Sequence, residues 1–538
     1  MAILDSDHND AIATLIQNPG DAGQAQRVFD LARQDPEGAH HARERVMPAP
    51  AALPLDLVTQ AFRRHNLSMP YTPEVVAQPA SLAELVATMQ TAATSWQPMK
   101  AIGDGYGFAN TGSTKGYLFP LVSKLTRVLP FAAGELKAGV DADHLLRFEG
   151  GASIDVVTQA LWARGKAVLN QPGYERLTYV GTMSSGGHGS GTWCGPLSDH
   201  AVALHFVTLD AQGQVTQFQV EKPPGISDPG PFKAQHPGVE LIQNDDKLFD
   251  ACTVAMGCLG IIYSATIKVR DKYNISEQRT KLRWSEIKAR LPTLLGEQGP
   301  GKRLHSIEVW INPYLIDGEA WGVLGERTET NAAPHGERAL VIEYGGPEFL
   351  YRLIAWWVQH FPKAVPGLIN AALSATQSGV VVMEAPKGLN FGATNLAPVT
   401  AASCGVPTDG IADVVDQLLS WFQQRADQTE SYITSPLGLR FVHSATALMS
   451  PSFGRDTCMI EAPVLLGTPR ARETLDAYHD FLAPFGGRPH WGQVNDMPPD
   501  RLGQLYPRLQ DFLDCFQALN PKGFFDNDFT EQLHLRRR

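Results

Sequence analysis

Two segments concentrate the residues from which an anion-binding site can be built. The first reads I-G-D-G-Y-G-F at residues 102–108 and the second V-G-T-M-S-S-G-G-H-G-S-G-T-W-C-G-P at 180–196. Glycine alone visits positive φ freely, so such loops either make tight turns or let backbone N–H groups converge on an anionic ligand. In the second segment Thr182, Ser184, Ser185 and Ser190 set small hydrogen-bonding side chains among the glycines. Neither segment ends in Gly-Lys-Ser/Thr, so neither is a Walker A loop. Neither opens a dinucleotide-binding helix with an acidic residue about 20 positions on. A third segment, F-D-A-C-T-V-A-M-G-C-L-G-I-I-Y-S-A-T-I-K-V-R at 249–270, puts Gly257 and Gly260 before a strand-like run. Taken alone it reads as a buried hairpin.

Acid–base candidates come from two later strands. In S-I-E-V-W-I-N-P-Y, from Ser306, a two-residue period puts Ser306, Glu308, Trp310 and Asn312 on one face and Ile307, Val309 and Ile311 on the other. Glu308 is a candidate base if that polar face looks into a pocket, and a structural ion-pair partner of an arginine if it does not. In L-R-F-V-H-S-A, Arg440 and Val442 share a face opposite Phe441 and His443. His443 suits an acid–base role or a core position equally well. The six cysteines (Cys194, Cys252, Cys258, Cys404, Cys458, Cys515) are scattered without a CxxC pair, which points to buried free thiols and no metal site.

The elements that must position these groups are bounded by length and composition. A chain of 538 residues, 43% hydrophobic and 19% charged, suggests two to three globular domains. Its net charge of −11 argues against nucleic acid or an anionic membrane surface as partner. The start, MAILDSDHND, has neither the basic nor the apolar region of a signal peptide, and no apolar run is long enough to span a bilayer; a cytoplasmic protein is expected. Residues 1–50 read as a helical extension, with Val28, Leu31 and Ala32 on one stripe, and a proline-rich linker. Ser81 followed by Glu84 has the spacing of a capping box that starts a helix. Strands and glycine turns then dominate to 272. Strands and apolar helices alternate from 273 to 480, and the aromatic stretch from Phe349 to Phe361, with Tyr351, Trp356 and Trp357, reads as core. A segment at 481–538 closes the chain.

The order and spacing of the three glycine segments resemble the FAD-binding domain of the vanillyl-alcohol oxidase and p-cresol methylhydroxylase flavoproteins, and within them the aldonolactone and alditol oxidase branch. The likeness extends to R-P-H-W-G-Q and N-P-K-G-F-F-D-N near the end, which resemble that branch's His-Trp-Gly-Lys and Asp-Pro-x-Gly-x-Phe-x-Asn motifs. The resemblance implies an α+β fold: a two-subdomain FAD-binding domain over 51–272, a cap domain with an antiparallel sheet and flanking helices over 273–480, and a C-terminal segment packing back at the flavin. It implies that Gly103, Asp104, Gly105, Tyr106 and Gly107 cradle the FAD pyrophosphate. Gly181, Thr182, Ser185, Gly186, His188, Gly189 and Ser190 would line the ribityl chain and flavin, with Pro172, Gly173 and His490 also at the cofactor, and Gly260 with Ile262 at the adenine end. Many relatives carry a histidine at the position of Tyr106, bonded covalently to the flavin. Its replacement implies non-covalent FAD, with Cys194 as the one alternative attachment point.

The same resemblance bears on substrate. Arg440 keeps the place of an arginine that stabilises charge, whereas polar contacts of the polyol and lactone oxidisers fall here on Gly173, Gly438, Gln493 and a position near Pro463. Lost hydrogen-bonding partners imply a bulkier or less polar substrate than a simple sugar lactone. The expected function is FAD-dependent hydride removal from a C–OH centre, with Arg440, Glu308, His443 and Gln493 as catalytic candidates. Pro172 is compatible with access of molecular oxygen, which favours an oxidase over a dehydrogenase. Two alternatives are an oxidative decarboxylase of specialised biosynthesis, holding a carboxylate on Arg440, and a catalytically decayed flavin-binding protein.

Overall fold

The computed structural model describes residues 73–338, 357–390 and 399–536. The helical extension expected over 1–50, and Phe349, Tyr351 and Trp356, lie outside the described residues. Strands β1 (Val75–Val76), β2 (Met99–Ile102) and β3 (Tyr117–Pro120) form a small parallel sheet in the order β1-β3-β2. The helix Leu82–Thr94 starts as its sequence predicts. Ser81 Oγ accepts from the Glu84 N–H at 3.2 Å, and Glu84 reaches back to the Ala80 N–H at 2.9 Å, satisfying N–H groups that lack intrahelical partners.

Next come β4 (Val128–Leu129), β5 (Leu145–Glu149), β6 (Lys166–Ala167), β7 (Ala201–Leu209), β8 (Val215–Glu221), β9 (Val239–Ile242), β10 (Ile261–Lys268) and β11 (Arg270–Asp271). Six of these form one sheet, ordered β4-β5-β10-β7-β8-β9, while β6 pairs with β11 alone. The hairpin expected from residues 249–270 is therefore a helix, Asp246–Thr253, followed by the central strand β10.

The remaining strands are β12 (Asn274–Arg283), β13 (Ser306–Ile311), β14 (Trp321–Thr330), β15 (Ser378–Glu384), β16 (Val399–Pro407), β17 (Leu437–Val442), β18 (Thr457–Leu465) and β19 (Arg488–Pro489). They make an eight-stranded antiparallel sheet in the order β15-β12-β14-β13-β17-β18-β16-β19. Its two faces differ because side chains alternate along each strand. Ile307, Val309 and Ile311 of β13, Leu439 and Phe441 of β17 and Ile460 of β18 are fully buried in one core with residues of the helices Trp284–Gly296, Val365–Ala375, Ile411–Thr429 and Ala471–Leu482. Trp357 joins this core, as its apolar surroundings predict. The opposite face carries Glu277, Arg279, Arg327, Glu308, Arg440 and Glu461, since ladder partners share a face.

The chain's end ties the two halves together at the first glycine loop. Asn527 Nδ2 donates to the carbonyls of Asn110, Thr111 and Ser113 at 2.9, 3.1 and 3.1 Å. The Phe108 N–H donates to the Gly492 carbonyl at 2.8 Å, and the Met99 N–H to that of Phe524 at 2.8 Å. All six cysteines are buried free thiols. Among the described residues, no helix is long and apolar enough to cross a membrane.

Candidate active site

The first glycine segment meets the start of the second at one side chain, that of Thr178, the N-cap residue of the helix Tyr179–Ser184. A Cβ at Gly103 would sit 2.5 Å from Thr178 Oγ1 and one at Gly181 only 2.6 Å from the same atom, so both loops approach Thr178 with bare backbone. Gly105 adopts φ +74° facing open space, and Gly260 adopts φ +137°, where a Cβ would meet the Val207 carbonyl at 3.0 Å. Positive φ at these two positions is a conformation that only glycine takes without strain. The Gly257 carbonyl is held by Lys100 Nζ at 2.9 Å; burial pushes that ammonium's pKa down to about 8. Around these loops runs a cavity that continues to the polar face of the large sheet, reaching Ala401 and Ser403 of β16, Arg440 of β17, and Glu461 and Pro463 of β18. A long trough of exposed backbone fits an extended dinucleotide with an anionic centre, because N–H groups can approach its phosphates directly.

At the sheet end, charge is concentrated and braced. Arg327 holds Glu308 with two hydrogen bonds, Nη1–Oε1 at 2.9 Å and Nη2–Oε2 at 3.2 Å. Arg440 Nε lies 3.5 Å from Glu308 Oε1. Behind them Glu277 accepts from Arg327 Nε at 3.0 Å and from Arg338, and Arg279 lies 3.1 Å from it. The Glu277 carboxyl is held well below the usual range, because the attraction of Arg279, Arg338 and Arg327 outweighs its burial. Two histidines, His188 and His490, face the cavity with ring centroids 5.9 Å apart. Burial first, and then the Arg440 charge, lowers their pKa values to about 3 and about 4, so both are neutral at pH 7. His188 Nδ1 donates to the Gly189 carbonyl at 2.9 Å, which leaves Nε2 as an acceptor. His490 Nδ1 accepts from the Gly492 N–H at 3.0 Å, which places its proton on Nε2.

Most residues singled out in the sequence come together here. Gly103, Asp104, Gly105, Tyr106, Gly107, Pro172, Gly173, Gly181, Thr182, Ser185, His188, Gly260, Ile262, Arg440, His490 and Gln493 all line the cavity. Six of the residues singled out lie outside the lining. Gly186 lies behind the wall against Pro451, with Gly187 lining in its place. Gly189 is packed against Asn170, where a Cβ would fall 1.9 Å from Oδ1. Ser190 turns away and donates to the Ile307 carbonyl at 2.5 Å. Glu308 lies outside the lining, with both oxygens held by Arg327, and so serves as a brace for Arg440 instead of a base facing the cavity. His443 is half exposed and paired with Asp456 at 2.8 Å, outside the cavity. Cys194 is also outside the lining, its thiol buried and its pKa pushed up to about 12 by burial.

Glu461 and Ser403 were missed. The signal for Glu461 was available: a single carboxylate in the apolar run T-C-M-I-E-A-P-V-L is costly to bury unless it faces a polar space. Ser403 carries no such signal.

Comparison with known proteins agrees with this geometry. Residues 73–219 match the model of an FAD binding domain, and residues 265–533 match that of D-arabinono-1,4-lactone oxidase. The L-gulono-1,4-lactone dehydrogenase of Mycobacterium tuberculosis is 23% identical over 86% of this chain and 96% of its own length. The L-gulonolactone oxidase of Mus musculus is 22% identical over 86% of this chain and 95% of its own. The alditol oxidase of a Streptomyces species is 22% identical over 74% and 84%. Among solved structures, cholesterol oxidase from B. sterolicum superposes with a TM-score of 0.67 at 13% identity, over 85% of this chain and 93% of that one; this likeness concerns the fold.

Proposed function

The chain belongs to the D-arabinono-1,4-lactone oxidase family, with an FAD-binding domain ahead of the family region, and from that premise we propose that it oxidises a C–OH centre of a small hydroxylated molecule. It is an FAD-dependent oxidoreductase of the aldonolactone and alditol type. The observation that carries the reading is Arg440, braced by Glu308 and set in the same cavity as the glycine trough. When bound, FAD supplies a two-electron, hydride-accepting centre. The backbone at Gly103–Gly107 and Gly181–Thr182 would hold it, with Gly260 and Ile262 at another part of the trough. Arg440 presents a fixed guanidinium to the negative charge that develops on the substrate oxygen as its proton leaves, and a preorganised donor of this kind needs no rearrangement during reaction. Neutral His188 and His490 leave Arg440 as the positive centre of this wall and offer one acceptor and one donor to substrate hydroxyls.

The expectation of a bulky or apolar substrate rested on contacts missing at Gly173, Gly438 and Gln493. Two features favour a hydroxylated one: Glu461 stands in the wall, held by Gln493, and Ser403 lines the same wall. For the electron acceptor we favour molecular oxygen, because the cavity is lined at Pro172 and Gly173 by one small ring and one residue without a side chain.

Purified protein should show absorption near about 370 and 450 nm, the signature of oxidised flavin. Anaerobic addition of L-gulono-1,4-lactone or an alditol should bleach it, and air should restore it with formation of hydrogen peroxide. Protein that folds but never retains flavin would sink the proposal. Bleached flavin that air leaves reduced while a dye reoxidises it would identify a dehydrogenase.

A further inference from the structure

The wall formed by β16, β17 and β18 holds a carboxylate placed for proton transfer. Glu461 of β18 stands directly opposite Gly438 of β17. At Gly438 a Cβ would meet nothing nearer than Glu461 Cβ at 3.8 Å, so the sheet face beside Glu461 is open there. Directly paired residues share a face of the sheet, and Glu461 accordingly lines the cavity together with Arg440, two residues from Gly438. Gln493 Nε2 donates to Glu461 Oε1 at 2.7 Å. That bond orients the carboxylate and leaves Oε2 for another donor. On β16, Ser403 is the ladder partner of Glu461 on its other side, and its buried hydroxyl has no partner. The same is true of Gln493 Oε1. Ser403, Glu461 and Gln493 all line the cavity, so this stretch of wall is polar, as a site for a hydroxylated ligand requires. The neighbouring carboxylate, Glu308, is committed to Arg327 and lies outside the cavity.

We propose that Glu461 is the catalytic base of this site, positioned by Gln493 and acting from β18. The inference rests on the reading of the site as one for FAD-dependent carbinol oxidation. The substrate would give its O–H proton to Glu461 Oε2, and FAD, when bound, would supply the acceptor for the C–H hydride and its two electrons. The substrate's C–O single bond becomes a carbonyl, and Glu461 then returns the proton to solvent.

The test compares wild type, Glu461→Gln and the exchange Gly438→Glu/Glu461→Gly, each loaded with FAD. Flavin reduction by xylitol and by L-gulono-1,4-lactone is followed anaerobically across pH. Binding of the same two compounds to dithionite-reduced enzyme, where no turnover occurs, is followed by calorimetry. Glu461→Gln should slow reduction by about 100-fold or more, the contribution of a positioned base, remove the acidic limb of the pH profile and weaken binding. The exchange should regain at least about tenfold of the lost rate, because it returns a carboxylate to the same face of the sheet from the paired position on the neighbouring strand. A Glu461→Gln enzyme within about threefold of wild type, with the same pH profile and binding, overturns the proposal while the function stands. If Glu461→Gln does not hold FAD, the exchange decides: measurable reduction with the acidic limb present supports the proposal, and none overturns it. Wild type that is neither reduced nor bound by either compound removes both the proposal and the function on which it rests.

Discussion

Replacing Glu308 by glutamine separates a bracing role from a basic one. The side chain keeps its size, but the buried strip loses one of two carboxylates, Glu277 and Glu308, while the guanidiniums of Arg279, Arg327, Arg338 and Arg440 remain. Glu308 and Arg327 have side chains only 4% and 2% exposed, so solvent can do little to screen the charge left behind. Breaking a buried pair by removing one partner costs about 3–5 kcal/mol. Glutamine retains one acceptor for Arg327, and Arg327 keeps Glu277 at 3.0 Å, so the lower end of that range applies. About 3 kcal/mol in a unit of this size lowers the melting temperature by roughly 6–12 °C. Activity should fall as well, by about 100-fold, because Arg440 loses the group that fixes its guanidinium. The assay pairs thermal unfolding of the FAD-loaded enzyme with anaerobic flavin reduction across pH. The acidic limb of the pH profile should survive. A variant of unchanged stability whose acidic limb disappears would refute the reasoning and restore Glu308 as the base.

Three further outcomes follow from the geometry. Arg440→Ala should keep its FAD but lose about 100-fold to 1000-fold in flavin reduction, and Arg440→Lys should recover only part, since a point charge on a flexible stem does not reproduce a planar fork; near-normal reduction in the alanine variant would remove Arg440 from the site. Acid precipitation should release all the flavin, because the cavity is lined by Tyr106 at the place where the flavoprotein family it resembles would carry a histidine, and Cys194 lies outside it; colour retained by the denatured chain would contradict this. Stability should fall as pH is lowered from about 6.5 to about 4.5, because His188, His200, His205, His305, His479 and His490 have folded pKa values lowered to between about 3 and about 4 by burial, so the unfolded chain binds more protons there. Asp199 and Asp476, raised by burial to about 6, oppose this with fewer groups; a melting temperature that holds or rises on acidification would show that the histidines are not buried neutral.

What the amino-acid sequence determined by itself are the features whose physics is local. Glycine's freedom at Gly105 and Gly260, the Ser81 cap and the two-residue alternation of β13 depend on a residue and its near neighbours in the chain. The trough, the helix start and the apolar face of the large sheet were therefore legible, whereas Arg440 as a cavity residue followed from the family resemblance. Partners were not legible. Alternation assigns Glu308 to a polar face but does not reveal that Arg327, on the adjacent strand, consumes its oxygens. His443, expected at the site or in the core, is half exposed because it lies just beyond the end of β17, beside Asp456. Gly189 and Ser190 belong to the same glycine run as His188, yet they turn behind the wall toward Asn170 and Ile307. The loss of a polar contact at Gly438 could be read from the chain, whereas the placing of Glu461 opposite it depends on strand register. Register brings together residues distant in sequence, and it is decided by how whole faces of the sheet pack against the helices. A one-residue slip would turn Glu461 into the apolar core, so only the folded sheet places that carboxylate beside Arg440 and Gln493.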